Sequence, residues 1–545
     1  MKTIKLDIQG MTCDSCAETV AKTLNLDGIL EKSVSYPDGS ARVTFQPDQI
    51  DAESIADVIN EKTHYTVTDI REPNVTGDSG TQHLIIIGGG SAAFAATIEA
   101  RDQGARVTMI NDGLPIGGTC VNVGCVPSKN LIRAAEVLHK AQQNPFPGLA
   151  TEGRLTDFAS LRKQKTDLVG ELRQKKYIDI IKNMDDFRLV QGRARLVSEN
   201  SVEVNGEIIA GDRILIATGA RPFIPDIPGL KDVPYLTNVE AFELDALPES
   251  LIVLGGRYIA LEIAQMFARL GTRVTVLQRS PRILPTETAD LTDRLTDYLR
   301  EEGLEIVTGN DVQSVREVKG QIEVTSRIGG ETQTFRAEKT LVATGRRPNT
   351  TGMNLENMGV KLTGQGAIVT QDTLATTIPT TYAAGDVLGE NMFVYTAAYE
   401  GKLAARNALT SEETPRDYSV LPWVIFTDPQ VSGVGLDEMQ AAERGISAEA
   451  TTLSLEHVPR AIAARDTRGF ITLIRDTSTD KLVGARILAP EGGELIMEVS
   501  LAIKFGITVR ELVGMFHPYL TMSEGIKLAA ITFRKDVTQL SCCAT

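Results

Sequence analysis

Twice in this chain an apolar run ends in glycines and passes directly into a helical stretch. The first is "HLIIIGGGSAAFAATIEARDQGARVTMI" from His83; the second, about 165 residues later, is "SLIVLGGRYIALEIAQMFARLGTRVTVLQRS" from Ser250. A continuous apolar run reads as a strand buried on both faces, and the glycines read as a turn where backbone must come close to a ligand or a neighbouring strand. Strand, helix and strand in succession make a βαβ unit. Two such units predict an α/β chain with two dinucleotide-binding domains, each offering backbone N–H groups and the positive end of a helix to a pyrophosphate.

The rest of the chain divides by pattern around these Rossmann-like units. Residues 1–70 read β-α-β-β-α-β, a ferredoxin-like order, with two strands joined at Pro37-Asp38-Gly39. The polar stretch "REPNVTGDSGTQ", 71–82, reads as a linker. The first dinucleotide-binding domain is expected at 83–230 and 350–418 and the second at 231–349. From 419 to 545 the strand-like "WVIFTD", "GFITLIRD" and "KLVGARIL" and the amphipathic "GGELIMEVSLAIKFG" predict a separate α+β domain. A length of 545 residues has room for these parts at about 100–200 residues per domain. The net charge of −15 argues against nucleic acid or an anionic membrane as partner. The N-terminus lacks the apolar core of a signal peptide, and no apolar stretch reaches the roughly 20 residues of a membrane span. A cytoplasmic protein is expected, in which cysteines serve catalysis or metal binding rather than structure.

All six cysteines fall into close pairs: Cys13 with Cys16, Cys120 with Cys125, and Cys542 with Cys543. Three dithiol sites follow. In "GMTCDSC" two thiols sit where a loop runs into a helix, close enough to clasp one soft ion, and the helix N-terminus favours their thiolates. A redox CxxC is the alternative, disfavoured by the β-α-β-β-α-β surroundings. The segment resembles the heavy-metal-associated domain of copper and mercury carriers. In that family an aromatic residue stands near the metal loop, and Tyr65 in "KTHYTVT" holds the matching position; tyrosine in place of the phenylalanine common in copper carriers leans towards mercury.

The first glycine motif reads Gly88-x-Gly90-x-x-Ala93. About 20 residues on, an acid should take the ribose hydroxyls; the slot after Ile110 holds Asn111, with Asp112 next, and one of the two takes the role. Then comes "GGTCVNVGCVPSK", which resembles the redox-active disulfide of the flavoprotein disulfide reductases, the family of glutathione reductase and lipoamide dehydrogenase. The likeness extends over nearly the whole chain from His83. It implies FAD, with Gly118 and Thr119 in the flavin-binding segment, Cys120 as the distal interchange thiol, Cys125 as the flavin-facing charge-transfer thiol and Lys129 as the flavin-side cation. A purely structural disulfide is the alternative. "ILIATGARP", with Thr218 and Gly219, and "LVATGRRPN" resemble the family's paired A-T-G elements, and "TYAAGDV" places Asp386 on the FAD ribityl or phosphate region.

By the same resemblance the second unit holds the nicotinamide cofactor. Gly255 opens its turn, but Arg257 stands where a glycine or small residue is usual, which puts close backbone approach there in question. Tyr258 matches the aromatic that covers the flavin until nicotinamide enters, and Glu262 the acid paired with Lys129. Where an NAD site would place a carboxylate the chain has Gln278-Arg279. The missing acid and the present arginine favour a 2′-phosphate, hence NADPH; a solvated arginine at a strand end is the alternative.

The substrate is argued from "FHPYLTMSEG". The family uses a C-terminal His–Glu pair as acid–base on the interchange thiol. Aligned on Ser523-Glu524, that slot holds Tyr519, with His517 two positions earlier. Tyrosine, with a pKa near 10, is a poor proton shuttle at neutral pH. Reduction of an organic disulfide releases thiolates that need protons, whereas reduction of a thiolate-bound metal ion to the neutral atom needs no such shuttle. His517 taking over the role is the alternative. The terminal "QLSCCAT" adds two adjacent sulfur ligands that suit a soft cation, and the stretch from His517 to the end resembles the C-terminal segment of the mercury-reducing members of the family, in which the tail serves the partner subunit. The resemblance implies a homodimer with shared active sites that uses NADPH and FAD to reduce Hg(II) to Hg(0) in mercury detoxification. The metal would arrive as Hg(II)–thiolate complexes and pass from Cys13/Cys16 through Cys542/Cys543 to Cys120/Cys125. A disulfide reductase or dihydrolipoamide dehydrogenase with a fused metal-binding domain, and a non-enzymatic soft-metal chaperone, are the competing readings.

Overall fold

The computed structural model describes residues 2–37, 39–71, 81–410 and 412–537. The body of the expected linker, 72–80, and the Cys542–Cys543 tail lie outside them. The chain forms two compact units, Met1–Thr81 and Gln82–Thr545.

The first unit has the expected β-α-β-β-α-β order: strands Lys2–Gln9, Ile29–Ser35, Ser40–Phe45 and Thr66–Arg71, helices Asp14–Thr23 and Ala52–Lys62. The first strand is central, paired antiparallel to the third and fourth. Alternation sends Ile4, Leu6 and Ile8 to one face, where they pack with Val20 and Leu24 of one helix and Ile55 and Ile59 of the other; the four-residue spacing stacks each helical pair on a single face. Asp51 caps the second helix, its carboxylate accepting the Ser54 N–H at 2.8 Å.

The second unit contains the two dinucleotide-binding sheets in α/β form. In the first, the parallel strands lie in the order Thr381–Ala383, Arg213–Ile216, His83–Ile87, Arg106–Asn111, Phe187–Gln191. In the second the order is Tyr235–Leu236, Lys339–Val342, Ser250–Leu254, Arg273–Gln278, Glu305–Thr308, again all parallel. In both, the strand that carries the glycine turn is central and the connection reverses direction beside it, which opens a crevice at the strand's carboxyl end. Every residue of His83–Ile87 and of Ser250–Leu254 is buried, as continuous apolar runs require.

The alanine-rich helix Ser91–Asp102 packs on Val394–Leu409 through small residues on both sides. A Cβ at Gly401 would overlap the Ala92 carbonyl, so glycine there sets how closely the two helices approach. The C-terminal part is a five-stranded antiparallel sheet, order Trp423–Ile425, Gln430–Gly435, Leu482–Ala489, Phe470–Asp476, Ala448–Ser454, with helix Gly492–Lys504 against it. Among the described residues no helix is long and apolar enough to cross a membrane.

A buried charge cluster binds the second parallel sheet to the C-terminal part. Arg269 reaches Glu302 at 2.6 Å and Asp428 at 2.9 Å, and Arg468 reaches Asp428 at 3.0 Å, with the Arg269 side chain only 4% exposed. Such a cluster stabilises only while complete, because removing one partner strands the opposite charge in low dielectric. Arg269→Met is expected to lower stability by about 3–5 kcal/mol, read as a fall in the denaturant midpoint, without loss of the first parallel sheet's own packing.

Candidate active site

Local sequence explains the first glycine turn. Gly88 has φ +131°, and a Cβ there would overlap the Ala217 carbonyl oxygen; only glycine allows the strand to end against its neighbour. Gly90 then caps helix Ser91–Asp102, and Gly118 lies so close that its own Cβ would come within 2.6 Å of the Gly90 Cα. Around these backbones opens a cavity of about 740 Å³, lined by Gly88–Ala92, Asn111, Asp112, Gly118, Thr119, Cys120, Cys125, Thr218, Gly219, Arg346 and Asp386 among others. Ala93 is fully buried behind the turn.

The structure separates Asn111 from Asp112. Asn111 ends its strand with the side chain turned inward against Gly89, its Nδ2 donating to the Leu114 carbonyl at 3.0 Å. Asp112 is exposed at the cavity wall.

The two thiols lie at a helix junction. Cys120 is in helix Gly118–Val123, and Cys125 is the first residue of the 18-residue helix Cys125–Gln142, where the helix dipole favours a thiolate. The Cys120 thiol donates a hydrogen bond to Cys125. That bond first, against the penalty of burial and with help from the Lys129 ammonium, holds the Cys125 thiol down to about 7. Cys120 is pushed upward by the same hydrogen bond and by burial. Lys129, one turn along from Cys125, pairs with Glu262 at 2.7 Å, and the other Glu262 oxygen accepts the Phe426 N–H at 2.9 Å.

The second turn repeats the first. Gly255 has φ +117°, and a Cβ would overlap the Ala343 carbonyl. Arg257 answers the question its presence raised: it takes an extended backbone as the N-cap of helix Tyr258–Leu270 and its side chain is exposed, away from the turn. Arg279 is exposed at the end of strand Arg273–Gln278. Tyr258 is half-buried beside Trp423.

In the first unit, Cys13 caps helix Asp14–Thr23, and its sulfur lies 3.3 Å from that of Cys16. Hydrogen bonds from the Tyr65 hydroxyl, then from the Thr12 N–H and Cys13, bring Cys16 down to about 6.

Residues 82–401 match the pyridine nucleotide-disulphide oxidoreductase model, 421–530 the dimerisation domain of the same enzymes, and 5–66 the heavy-metal-associated domain. The chain belongs to the pyridine nucleotide-disulphide oxidoreductase family. It is 42% identical over 544 residues to a mercuric reductase of Staphylococcus aureus, covering 99% of both chains. It is 43% identical over 571 residues to a mercuric reductase of Shigella flexneri, covering all of both. Among solved structures, the HOCl-induced flavoprotein disulfide reductase RclA from Escherichia coli matches with a TM-score of 0.74 and 30% identity, over 83% of this chain and 100% of that one.

The family implies FAD and NAD(P)H. The first cavity fits FAD on its own evidence: a glycine cradle that any Cβ would fill, a helix N-terminus for phosphate, and a buried Arg346 Nε with no hydrogen-bond partner in the protein. Arg346 also lies 3.6 Å from Asp386, whose carboxyl is pushed up by burial.

The resemblance expects an acid–base couple in the C-terminal stretch. Tyr519 is half exposed at 51%, next to the fully exposed Phe516. His517 instead turns into its own chain, the side chain 6% exposed and its Nε2 2.7 Å from the Glu498 carboxylate. Glu524 accepts the Leu520 N–H at 3.2 Å in the turn before helix Met522–Ile531.

Three supporting residues were missed in the sequence. Arg346 directly follows the second A-T-G element, a position that could have singled it out. Asn122 donates to the Pro115 and Gly118 carbonyls at 2.9 and 2.8 Å and accepts from Arg173 at 3.0 Å, which fixes the turn before Cys120. Asn238 donates to the Val123 carbonyl at 2.7 Å from far along the chain, with no local signal.

These environments predict residue-resolved titration. In the reduced protein, iodoacetamide should modify Cys16 with a midpoint near pH 6 and Cys125 near pH 7, each thiolate vanishing as pH falls through its value. Tyr65→Phe should raise only the first midpoint and Lys129→Met only the second, as followed by mass spectrometry of the alkylated peptides.

Proposed function

We propose that the chain is an NADPH-dependent mercury(II) reductase in which Hg(II), held by Cys120 and Cys125, is released as Hg(0). In balance, NADPH, one proton and a bis-thiolate complex of Hg(II) give NADP+, Hg(0) and two thiols. When bound, FAD supplies the relay of two electrons from nicotinamide that no side chain provides. The residues that would hold it are Gly88, Gly90 and Ala93 at the pyrophosphate turn, Gly118, Thr119, Thr218 and Gly219 along the cleft, Arg346 with Asp386, and Asp112 at the ribose. Gly255 and the N-terminus of helix Tyr258–Leu270 receive NADPH, with Arg279 on the 2′-phosphate and Tyr258 covering the nicotinamide position.

The protein's own part is thiol chemistry. Cys125, a thiolate near neutral pH, forms the first bond to a soft cation. Cys120 keeps its proton until the metal arrives, then loses it as the second bond forms, because metal binding requires the deprotonated ligand. Lys129, fixed by Glu262, balances the negative charge. The reading is supported by one observation: His517 pairs with Glu498 and not with Glu524, the acid of the family's aligned couple. Tyr519 occupies the slot, His517 is buried against Glu498, and Glu524 is engaged at Leu520. Tyr519 then serves as a hydrogen-bond donor or weak ligand at the partner subunit's thiols in a homodimer. Cys13 and Cys16 collect the ion, and the Cys542–Cys543 tail hands it inward. The cytoplasm suits this reading, since its reductants keep such pairs as thiols.

The FAD-loaded enzyme should oxidise NADPH in the presence of Hg(II) with excess thiol far faster than with oxidised glutathione or lipoamide; dominant disulfide turnover would overturn the proposal. Arg279→Glu should raise KM for NADPH by about tenfold or more and narrow the preference over NADH. With Hg(II) presented as a tight dithiol complex, alanine at both Cys542 and Cys543 should slow turnover, and an unchanged rate would remove the tail from the scheme.

A further inference from the structure

The only tryptophan of the chain is Trp423, the first residue of the edge strand Trp423–Ile425 in the C-terminal sheet. It pairs across to Gly433, where a Cβ would come within 2.5 Å of the indole. The glycine is therefore what lets the large ring settle over its neighbour strand. Arg486, the next partner across from Gly433, carries its guanidinium 5.8 Å from the indole centroid and is held by Glu287 at 3.1 Å, both side chains buried. Against this braced ring lies Tyr258, its centroid 6.2 Å away and its plane 7° from parallel. The phenol also bonds to Thr286, next to Glu287. The stack thus joins the first residue of the nicotinamide-type helix to a sheet that otherwise has no part in nucleotide binding.

We propose that Trp423 is the dock that holds Tyr258 in its resting position, so that nicotinamide enters only when the two rings part and the stack sets how readily NADPH is admitted. This rests on the reading that Tyr258 covers the nicotinamide position. An aromatic stack adds stabilisation beyond the area it buries, and a binding-competent state that is a minority raises the apparent Kd by the inverse of its population. Trp423 therefore costs affinity for the cofactor and keeps the site closed without it.

The test uses FAD-loaded full-length protein and NADP+, so that no turnover occurs. Binding is measured by calorimetry, and the lone tryptophan reports by emission and by acrylamide quenching. On saturation with NADP+ the emission should change and the quenching slope should rise, with the calorimetric midpoint. Tyr258→Ala should show the raised slope without ligand and no further response. Trp423→Leu should tighten NADP+ binding by about threefold to tenfold, while Trp423→Phe, which keeps a stacking ring, should restore Kd to near the starting value. Gly433→Ala, which displaces the indole without removing it, should act like Trp423→Leu. Calorimetric binding with no change in emission or quenching, or an unchanged or weakened Kd in both Trp423→Leu and Gly433→Ala, overturns the dock while leaving the cofactor assignment intact. No NADP+ binding to the unaltered protein overturns both.

Discussion

The second unit is organised around the Glu262 carboxylate. Its side chain is 8% exposed, and a carboxylate so buried is tolerable only when both oxygens are paired. Lys129 takes one at 2.7 Å and the Phe426 N–H takes the other at 2.9 Å, while the Lys129 ammonium also rests 4.6 Å from the Phe426 ring centroid. One anion thereby fixes three distant parts of the chain: the helix that begins at Cys125, the helix behind the second glycine turn, and the C-terminal sheet. The chemistry depends on the same contact. Lys129 is four residues from Cys125, on the same helical face, and lowers its pKa, whereas Glu262 acts in the opposite direction. The balance leaves a sulfur that is ionised at neutral pH yet not so stabilised that it loses nucleophilicity.

The two dinucleotide sheets solve one packing problem twice. In each, the strand before the glycine turn is central, and the turn's first glycine abuts a carbonyl from the end of the neighbouring strand, Ala217 for Gly88 and Ala343 for Gly255. Those carbonyls belong to the two A-T-G elements, so each element supplies the surface that makes its glycine necessary. The residue that ends the following strand, Asn111 or Gln278, packs its side chain on the second glycine. The elements are also tied to each other: Ala220–Pro222 pairs antiparallel with Arg346–Pro348, and Thr218 and Asn349 exchange hydrogen bonds of 2.7 and 2.9 Å. This ribbon carries Arg346 from the nicotinamide-type half into the flavin-type cavity.

What could be read from the chain was whatever depends on local spacing, and beyond that what the family resemblance implied, the pairing of Lys129 with Glu262 among it. Strand, glycine turn and helix announce themselves through apolar runs and glycine spacing, and the cysteine pairs through proximity, so the α/β class and the ferredoxin-like first unit were legible. Contacts made by single residues from remote segments were not. Asn238 closes the Val123 carbonyl and Trp423 meets Tyr258 with no periodicity to mark either. The choice between Asn111 and Asp112 stayed open because it depends on strand phase: both line the cavity, but the strand runs through Asn111, whose side chain is buried against Gly89, while Asp112 is exposed. The effect of Arg257 stayed open for a related reason. An N-cap residue with extended backbone can direct a long side chain to solvent, so the position excludes a Cβ less strictly than Gly255 does.

The two described thiol pairs share one electrostatic plan although their folds are unrelated. In each, one sulfur sits at the start of a helix, a second sulfur lies within hydrogen-bonding reach, and a neighbouring group stabilises the thiolate: the Tyr65 hydroxyl for Cys16, Cys120 and the Lys129 ammonium for Cys125. A pair with one thiolate and one protonated partner suits stepwise capture of a soft cation. The first bond needs no proton movement, and the second releases a proton only once the metal is held, so the ion passes between ligands without being set free. In the proposed reaction the species that departs is the neutral atom, which carries no proton, and the two sulfurs that regain protons stay on the chain, so no leaving thiolate has to be protonated by a shuttle. The burial of the His517 side chain against Glu498 and the exposure of Tyr519 are compatible with that reaction. On the proposed reading, the short segment from Met515 to Glu524 is where the preference for a metal ion over a disulfide is set.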